Sequence, residues 1–159
     1  FVARVETRLL TEYQTRLQQI ENAERLLDRL SNAGMKTALA TGSSLRRMKA
    51  TLEISGLVAH FPGTAYSAEQ VANGKPAPDL FLLAAEGIAT DPKDCVVIED
   101  SPHGVKGAIS AGMRAIGFVG GTHLHDIRSH QTQLLKSAGA SEIFECLLDV
   151  GDAILHKPA

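Results

Sequence analysis

The sequence contains no tryptophan, and aromatic residues make up only 4% of its 159 positions. Its two cysteines, Cys95 and Cys146, lie far apart and lack the close pairing typical of zinc ligands. We therefore expect two buried, reduced thiols rather than a disulfide framework. The formal net charge is −2, so the chain has no basic field that would hold a nucleic-acid backbone.

Long hydrophobic runs are also missing. No apolar stretch approaches the roughly 20 residues that a membrane-spanning helix needs. The opening residues form a charged, amphipathic segment without the apolar stretch of a secretion signal. We therefore expect a cytoplasmic protein with neither a membrane nor a nucleic acid as partner. The hydrophobic content of 44% and the length are typical of one globular domain.

After residue 20, helical and extended patterns alternate. Apolar residues recur at helical spacing over 23–32, 44–55, 126–138 and 147–155. Short apolar stretches lie between these segments, and the clearest of them, Cys95–Ile98, is apolar throughout, which predicts a strand buried on both faces. This alternation predicts an α/β fold, with a Rossmann-like parallel sheet and helices on both faces.

Polar residues follow three of the predicted strands. Thr41, Gly42 and Ser43 follow the first, Lys75 follows the second after a loop, and Glu99-Asp100 ends the third. Ligands of open α/β sheets bind beyond the carboxyl ends of the strands, so these groups are expected to meet at one edge. Hydroxyls and a helix N-terminus favour phosphate, and carboxylates favour Mg²⁺.

Each of these signals has an ordinary alternative explanation. The Thr41 corner can be a capped strand–turn–helix, Lys75 can be an exposed loop lysine, and Asp100 can cap the following helix. His123 and His125 are spaced as a pair, but two histidines fall short of a zinc site and are expected to face water.

The order of the three signals is more specific than any one of them. Thr41 after an apolar strand, Lys75 in GKPAPDLF and Glu99-Asp100 in CVVIEDSPHGVKGAISAGM resemble motifs II, III and IV of the haloacid dehalogenase (HAD) superfamily. The resemblance is to its phosphatase and β-phosphoglucomutase-like branch and covers about residues 20–155. It implies that Thr41, Gly42, Ser43 and Lys75 bind the transferring phosphoryl group, with Thr41 and Lys75 catalytic. It also implies that Asp100 first and Glu99 second hold Mg²⁺.

One motif of that family has no counterpart in the sequence. Its nucleophile and acid/base are two aspartates of a DxD-type strand, and no such motif follows an apolar run here. Aspartyl-phosphate chemistry needs that carboxylate. The implied function is Mg²⁺-dependent hydrolysis of a small phosphorylated metabolite, with the nucleophile outside this chain and the chain alone inactive. The open alternatives are a β-phosphoglucomutase-like isomerase and a non-catalytic phospholigand-binding domain.

The first 20 residues admit two interpretations. Apolar residues at helical spacing from Val2 to Ile20 predict one amphipathic helix. The resemblance instead implies a remnant of the family's helical cap in residues 1–20, with the core in 21–159. On that interpretation the cap is truncated or missing, the sequence is not one continuous natural chain, and two separate helices meet near Glu12–Tyr13.

Overall fold

The structure, a computed structural model, describes the backbone of residues 2–156 and the side chains of residues 7–156. Helices and strands alternate along the described chain, as the hydrophobic pattern predicts. The helices are α1 (Val2–Arg16), α2 (Ala23–Asn32), α3 (Leu45–Ser55), α4 (Asp79–Gly87), α5 (Pro102–Ser110), α6 (Arg128–Ala138) and α7 (Leu147–Leu155); the strands are β1 (Leu39–Thr41), β2 (Ala65–Ser67), β3 (Val96–Glu99), β4 (Arg114–Phe118) and β5 (Glu142–Phe144).

The strands form two parallel groups. β1 pairs with β2, with Leu39–Thr41 beside Ala65–Ser67. β4 lies between β3 and β5 and is parallel to both. Every strand pair is joined through a helix, as parallel pairing requires. The predicted α/β fold with parallel strands is therefore confirmed, although β1 and β3 are not hydrogen-bonded to each other.

Helices cover both faces of the three-stranded group. On one face, Phe81, Val105 and Leu135 of α4, α5 and α6 pack in one core cluster with Ala115 of β4. On the other, α2 and α7 pack their leucines against Ile116 of β4 in a second cluster. Neighbouring residues of β4 thus enter opposite clusters, because side chains alternate across a strand.

Two predictions about burial are wrong. The strand predicted at Cys95–Ile98 lies at Val96–Glu99 and is half-buried throughout rather than buried on both faces, because none of the strands in the described residues pairs with its second edge. Cys95 and Cys146 are free but only half-buried. Burial and the nearby Asp94 and Asp91 carboxylates raise the pKa of the Cys95 thiol, which favours its protonated form.

The predicted break near Glu12–Tyr13 is also wrong. A single helix, α1, runs without interruption from Val2 to Arg16. Its apolar stripe is continuous, and nothing in that stretch, such as proline or glycine, would end the helix. The helix nevertheless stops before Ile20, four residues short of the stretch that the spacing predicts. Within residues 2–156, no helix combines the length and the apolar character needed to cross a bilayer.

Candidate active site

The Thr41 corner is the turn between β1 and α3. Thr41 ends the strand, and its hydroxyl lies 3.0 Å from the Ser43 hydroxyl and accepts the Ser43 N–H at 3.2 Å. The chain then turns into α3, where Ser44 caps the helix by accepting the Arg47 N–H. Gly42 is exposed, with no atom within 4 Å of where a Cβ would stand. The corner therefore presents two neighbouring hydroxyls beside open space.

Protein groups already accept hydrogen bonds from some of the free N–H groups at the N-terminus of α3. Glu69 accepts the Leu45 N–H at 2.9 Å through a carboxylate oxygen. An acidic side chain at this position is favourable because the helix dipole is positive there. Fewer N–H groups at the start of this helix are therefore left for the phosphate contact that the sequence predicts. The Thr41 and Ser43 hydroxyls and the open backbone at Gly42 are left as the donors of this corner.

Beneath the corner lies Ser67, a residue that the sequence analysis missed. It ends β2, is fully buried, and donates its hydroxyl proton to the Ser43 carbonyl at 2.5 Å. Its hydroxyl also accepts the Glu69 N–H at 3.2 Å. Ser67 therefore anchors both the corner and the segment that caps α3. No local sequence pattern marks Ser67, because its burial is set by the fold.

Lys75 joins the ends of β1 and β3. Its ammonium group forms an ion pair with the Glu99 carboxylate and donates to the Ala40 carbonyl at 3.2 Å. It also lies 4.9 Å from the centre of the Phe81 ring. The Lys75 side chain is only 17% exposed. An exposed loop lysine is therefore not what the structure contains, and the positive charge is held at the carboxyl edge of both strands.

Glu99 is the more buried member of the acidic pair, with a side chain that is 9% exposed. One carboxylate oxygen meets Lys75, and the other accepts the Ser101 N–H at 3.1 Å. The carboxylate fits against α5 because residue 104 is glycine: a Cβ there would lie 2.0 Å from the Glu99 carboxyl carbon. A buried charge needs such partners, and both oxygens of Glu99 have one.

Unlike Glu99, Asp100 directs its carboxylate toward solvent. Its side chain is 45% exposed, and one carboxylate oxygen lies 3.3 Å from Nε2 of His123, which is 63% exposed. The Asp100 carbonyl accepts a hydrogen bond of 2.6 Å from the largely buried Gln131 of α6. His123 and Gln131 both escaped the sequence analysis as site residues, whereas His125 pairs with Asp126 and faces water as expected.

The residues that face Asp100 do not form a complete metal cage. Within the described part of the chain, no three histidine, cysteine or acidic side chains cluster in a way that would hold a metal ion. Mg²⁺ usually keeps several waters and takes only one or two protein carboxylates. The exposed Asp100 carboxylate fits that requirement, whereas both oxygens of Glu99 are engaged.

A cleft separates β1 from β3. It has a volume of about 530 Å³, and residues 38–40 form one wall and residues 95–99 the other. Apolar side chains of α2 and α4, including Leu30 and Phe81, complete its lining. Lys75 bridges the cleft at the carboxyl end of the strands through Ala40 and Glu99. We call this space the strand cleft.

Comparison with known proteins identifies the family. A model described as "haloacid dehalogenase-like hydrolase" matches residues 2–112. The chain belongs to this family of hydrolases. The three predicted motif regions, around Thr41, Lys75 and Glu99-Asp100, all lie inside the matched residues.

Two of the curated relatives are named as phosphatases. Hexitol phosphatase A of Escherichia coli is 38% identical over 113 residues, which are 64% of this chain and 51% of that protein. The probable pseudouridine-5'-phosphatase of Drosophila melanogaster is 40% identical over 126 residues, which are 76% of this chain and 54% of that protein. The chain thus spans about half the length of these two relatives.

Solved structures share the fold. A HAD family hydrolase from Deinococcus radiodurans, with bound phosphate and sodium, superposes with a TM-score of 0.85 at 29% identity. The superposition covers 99% of this chain and 69% of that one. The arrangement of helices and strands described above is therefore that of the family core.

Proposed function

We propose that this chain forms the phosphoryl-binding half of a Mg²⁺-dependent phosphatase that acts on a small phosphorylated metabolite. The reaction would pass through an aspartyl-phosphate whose nucleophile is supplied from outside residues 1–159. The observation that carries the proposal is the largely buried Lys75 ammonium group, held at the carboxyl edge of β1 and β3 beside the Thr41 corner. The named phosphatase relatives support the substrate class.

Lys75 would supply positive charge to the transferring phosphoryl group. A lysine ammonium has three N–H donors. One meets Glu99 and one meets the Ala40 carbonyl, which leaves one for a phosphoryl oxygen. A fixed cation aimed at developing negative charge needs no reorganisation during the reaction, and such groups are worth the most where water is excluded. In this proposal Glu99 positions Lys75.

The Thr41 corner would hold the remaining phosphoryl oxygens. The hydroxyls of Thr41 and Ser43 are adjacent and half-buried, and Gly42 leaves the backbone accessible from solvent. Hydrogen bonds from neutral donors to a charged oxygen are stronger than those between neutral groups. The corner is held in place from below by Ser67, so its geometry is set before a ligand arrives.

Mg²⁺ would be bound by Asp100, with His123 against the same carboxylate. When bound, the ion would supply charge neutralisation on the phosphoryl oxygens. Glu99 was the second predicted ligand, but its carboxylate is already shared between Lys75 and the Ser101 N–H. We therefore propose Asp100 as the direct ligand, with water completing most of the coordination.

We further propose that residues 1–20 are a cap remnant on a core of residues 21–159. The support is local: α1 packs against α3, and Gln19 donates to the Ser55 carbonyl at the end of α3. The same helix lies beside the Thr41 corner, since Tyr13 and Thr41 line one cavity of about 470 Å³.

Calorimetric titration of the chain with inorganic phosphate tests this proposal. Phosphate should bind, and Mg²⁺ should tighten its binding, because the two ligands share a site and each must favour the other equally. Lys75→Ala should weaken phosphate binding about tenfold or more, the value of a charge-assisted hydrogen bond. The matched control is Lys93→Ala, which removes an exposed lysine remote from the site.

Asp100→Asn should abolish the effect of Mg²⁺ while leaving phosphate binding without Mg²⁺ nearly unchanged. Asp126→Asn is the control, since Asp126 also neighbours a histidine but is almost fully exposed. Equal phosphate affinities for the chain and Lys75→Ala would contradict the role of Lys75. Undiminished coupling to Mg²⁺ in Asp100→Asn would contradict the metal ligand.

A further inference from the structure

His123 and Asp100 face each other from two loops that follow the carboxyl ends of β4 and β3. Nε2 of His123 lies 3.3 Å from a carboxylate oxygen of Asp100. Hydrogen bonds from N–H groups to oxygen are usually about 2.7–3.2 Å long, so this contact is slightly too long for one. The His123 and Asp100 side chains are 63% and 45% exposed, so an ion from solution can reach the space between the two atoms.

The loop that carries His123 is fixed on its buried side. It forms a short 3₁₀ helix, Thr122–Ile127, whose first turn closes when the Leu124 N–H donates to the Gly121 carbonyl at 3.0 Å. The Leu124 side chain is 5% exposed and packs in the core cluster beneath α5 and α6. The His123 ring lies over Gly121, where a Cβ would come within 2.8 Å of a ring atom. This packing holds the imidazole beside Asp100.

The backbone of Asp100 is fixed separately, because its carbonyl accepts a hydrogen bond of 2.6 Å from Gln131 of α6. Two donor atoms on residues that are already held in place need little reorganisation before an ion binds. Among the residues that the structure describes, no third histidine, cysteine or acidic side chain joins them to form a closed metal cage. Water or a phosphoryl oxygen would therefore complete the coordination of an ion at this place.

The distance between the two donor atoms suits two ligands of one metal ion. Metal–ligand bonds of about 2.1 Å place neighbouring ligand atoms roughly 3.0 Å apart around an octahedral ion and roughly 3.4 Å apart around a tetrahedral one. The observed 3.3 Å lies between these values. The two donors differ in the ions they favour, because carboxylate and water suit Mg²⁺ whereas imidazole suits transition ions such as Zn²⁺ and Ni²⁺.

We propose that His123 is a direct ligand for a divalent transition-metal ion, which it binds through Nε2 while Asp100 supplies a carboxylate oxygen. This inference rests on the part of the proposed function that makes Asp100 a metal ligand, and it adds a nitrogen ligand to that site. Mg²⁺ binds at the same place through Asp100 and water, because it gives up its water reluctantly and gains little from imidazole. His123 thus makes the site discriminate between the two classes of ion.

Titration of the ¹⁵N-labelled chain with ZnCl₂ and, separately, with MgCl₂ tests the proposal by nuclear magnetic resonance. Both ions are diamagnetic, so backbone amide signals give the dissociation constants and imidazole ¹⁵N signals show which nitrogen binds. The variants are His123→Ala, His123→Gln, Asp100→Asn and His125→Ala. His125→Ala is the matched control, since His125 lies in the same loop and faces water beside Asp126. His123→Gln keeps an N–H donor but lacks the imidazole lone pair.

Zn²⁺ should shift the Nε2 signal of His123 and leave the ring proton on Nδ1. His123→Ala and His123→Gln should each weaken Zn²⁺ binding about tenfold or more, since even groups that only orient a metal ligand are worth about 10- to 100-fold in affinity. Both variants should bind Mg²⁺ within about twofold of the unchanged chain. Asp100→Asn should weaken the binding of both ions, and His125→Ala should weaken neither.

An equal loss of Zn²⁺ and Mg²⁺ affinity in His123→Ala, with recovery in His123→Gln, would overturn the proposal, because His123 would then only orient Asp100 through a hydrogen bond. An Nε2 signal that Zn²⁺ does not shift would also overturn it. So would an equal loss of Zn²⁺ affinity in His125→Ala, which would indicate binding shared among surface histidines. Failure of the proposed function is distinguishable: Asp100→Asn would then bind Mg²⁺ as tightly as the unchanged chain, whatever His123→Ala does to Zn²⁺ binding.

Discussion

β3 and β4 are adjacent strands of similar apolar composition, yet their surroundings differ. β4 has a partner on each edge and helices on both faces, and its Ala115 and Ile116 are completely buried. Within residues 2–156, β3 has a partner strand on one edge only, and all four of its residues are half-buried. The same contrast applies to β1. Burial of a strand therefore depends on its neighbours on both edges as much as on its own side chains.

The two acidic residues at the end of β3 show the same contrast at the scale of side chains. Glu99 faces the interior and is paired with Lys75, whereas Asp100 is 45% exposed and faces His123. The Glu99 carboxylate thus holds the Lys75 ammonium group, whereas the Asp100 carboxylate is open to solvent beside His123. These two adjacent residues of like charge have different surroundings, because neighbouring side chains point to opposite sides where an extended strand ends.

The largest loss of stability is expected from shortening a side chain of β4, and the matched change in β3 sharpens the contrast between the two strands. Ile116→Ala should lower the free energy of unfolding by about 2–5 kcal/mol, because it empties a fully buried site. Ile98→Ala is the matched change in β3 and should cost less than half as much, since Ile98 is half-buried. Urea unfolding of both variants gives the comparison, and equal losses would contradict the open edge of β3.

Gly104→Ala should cause an intermediate loss of stability. The added methyl group would overlap the Glu99 carboxylate, and forced overpacking costs about 1–3 kcal/mol. Phosphate binding should weaken as well, because Glu99 holds Lys75. Gly74→Ala is the control, since its Cβ would find its nearest neighbour at 3.9 Å and should not destabilise the fold. A Gly104→Ala chain with normal stability and phosphate affinity would disprove this tight fit.

The smallest expected change in stability comes from an ion pair on the surface between α2 and α7. A hydrogen bond from the Arg29 guanidinium, 2.6 Å long, holds the pKa of Asp152 below its ordinary range. The stabilisation is complete above about pH 4, the ordinary aspartate pKa, and is lost as pH falls through the lower pKa of the folded state. Asp152→Asn should therefore flatten the pH dependence of unfolding below pH 4, measured by urea titration at several pH values. An unchanged pH dependence of unfolding in Asp152→Asn would contradict the contribution of the Arg29–Asp152 contact. Asp126→Asn, at an exposed aspartate, serves as the control.

Much of this architecture was predictable from the sequence. Gly56 and Gly139 end α3 and α6 in the left-handed conformation, and Ser44 caps α3, so local signals set those boundaries. The parallel α/β fold follows from the alternation of apolar patterns. The half-burial of β3 did not follow from them, because it depends on which strand lies beside it.

The site was predictable in composition but not in detail. The convergence of Thr41, Lys75 and Asp100 at the carboxyl edge of the strands follows from sequence order and the geometry of parallel sheets. Ser67, His123 and Gln131 contact these regions from distant parts of the chain, and no local pattern marks them. Which of Glu99 and Asp100 pairs with a lysine and which stays exposed likewise depends on the position of Lys75, and only the folded chain reveals that position.

Hydrogen exchange of the free chain, resolved by residue, tests the open strand cleft most directly. Amides protected in the folded state exchange only when their part of the structure opens. We predict that the amide of Ala40, which lines the cleft, exchanges with little protection, whereas the amides of Ala115–Phe118 are protected to nearly the free energy of global unfolding. Equal, strong protection of Ala40 and of β4 would show that the edges of β1 and β3 are closed, and would contradict this account of the site.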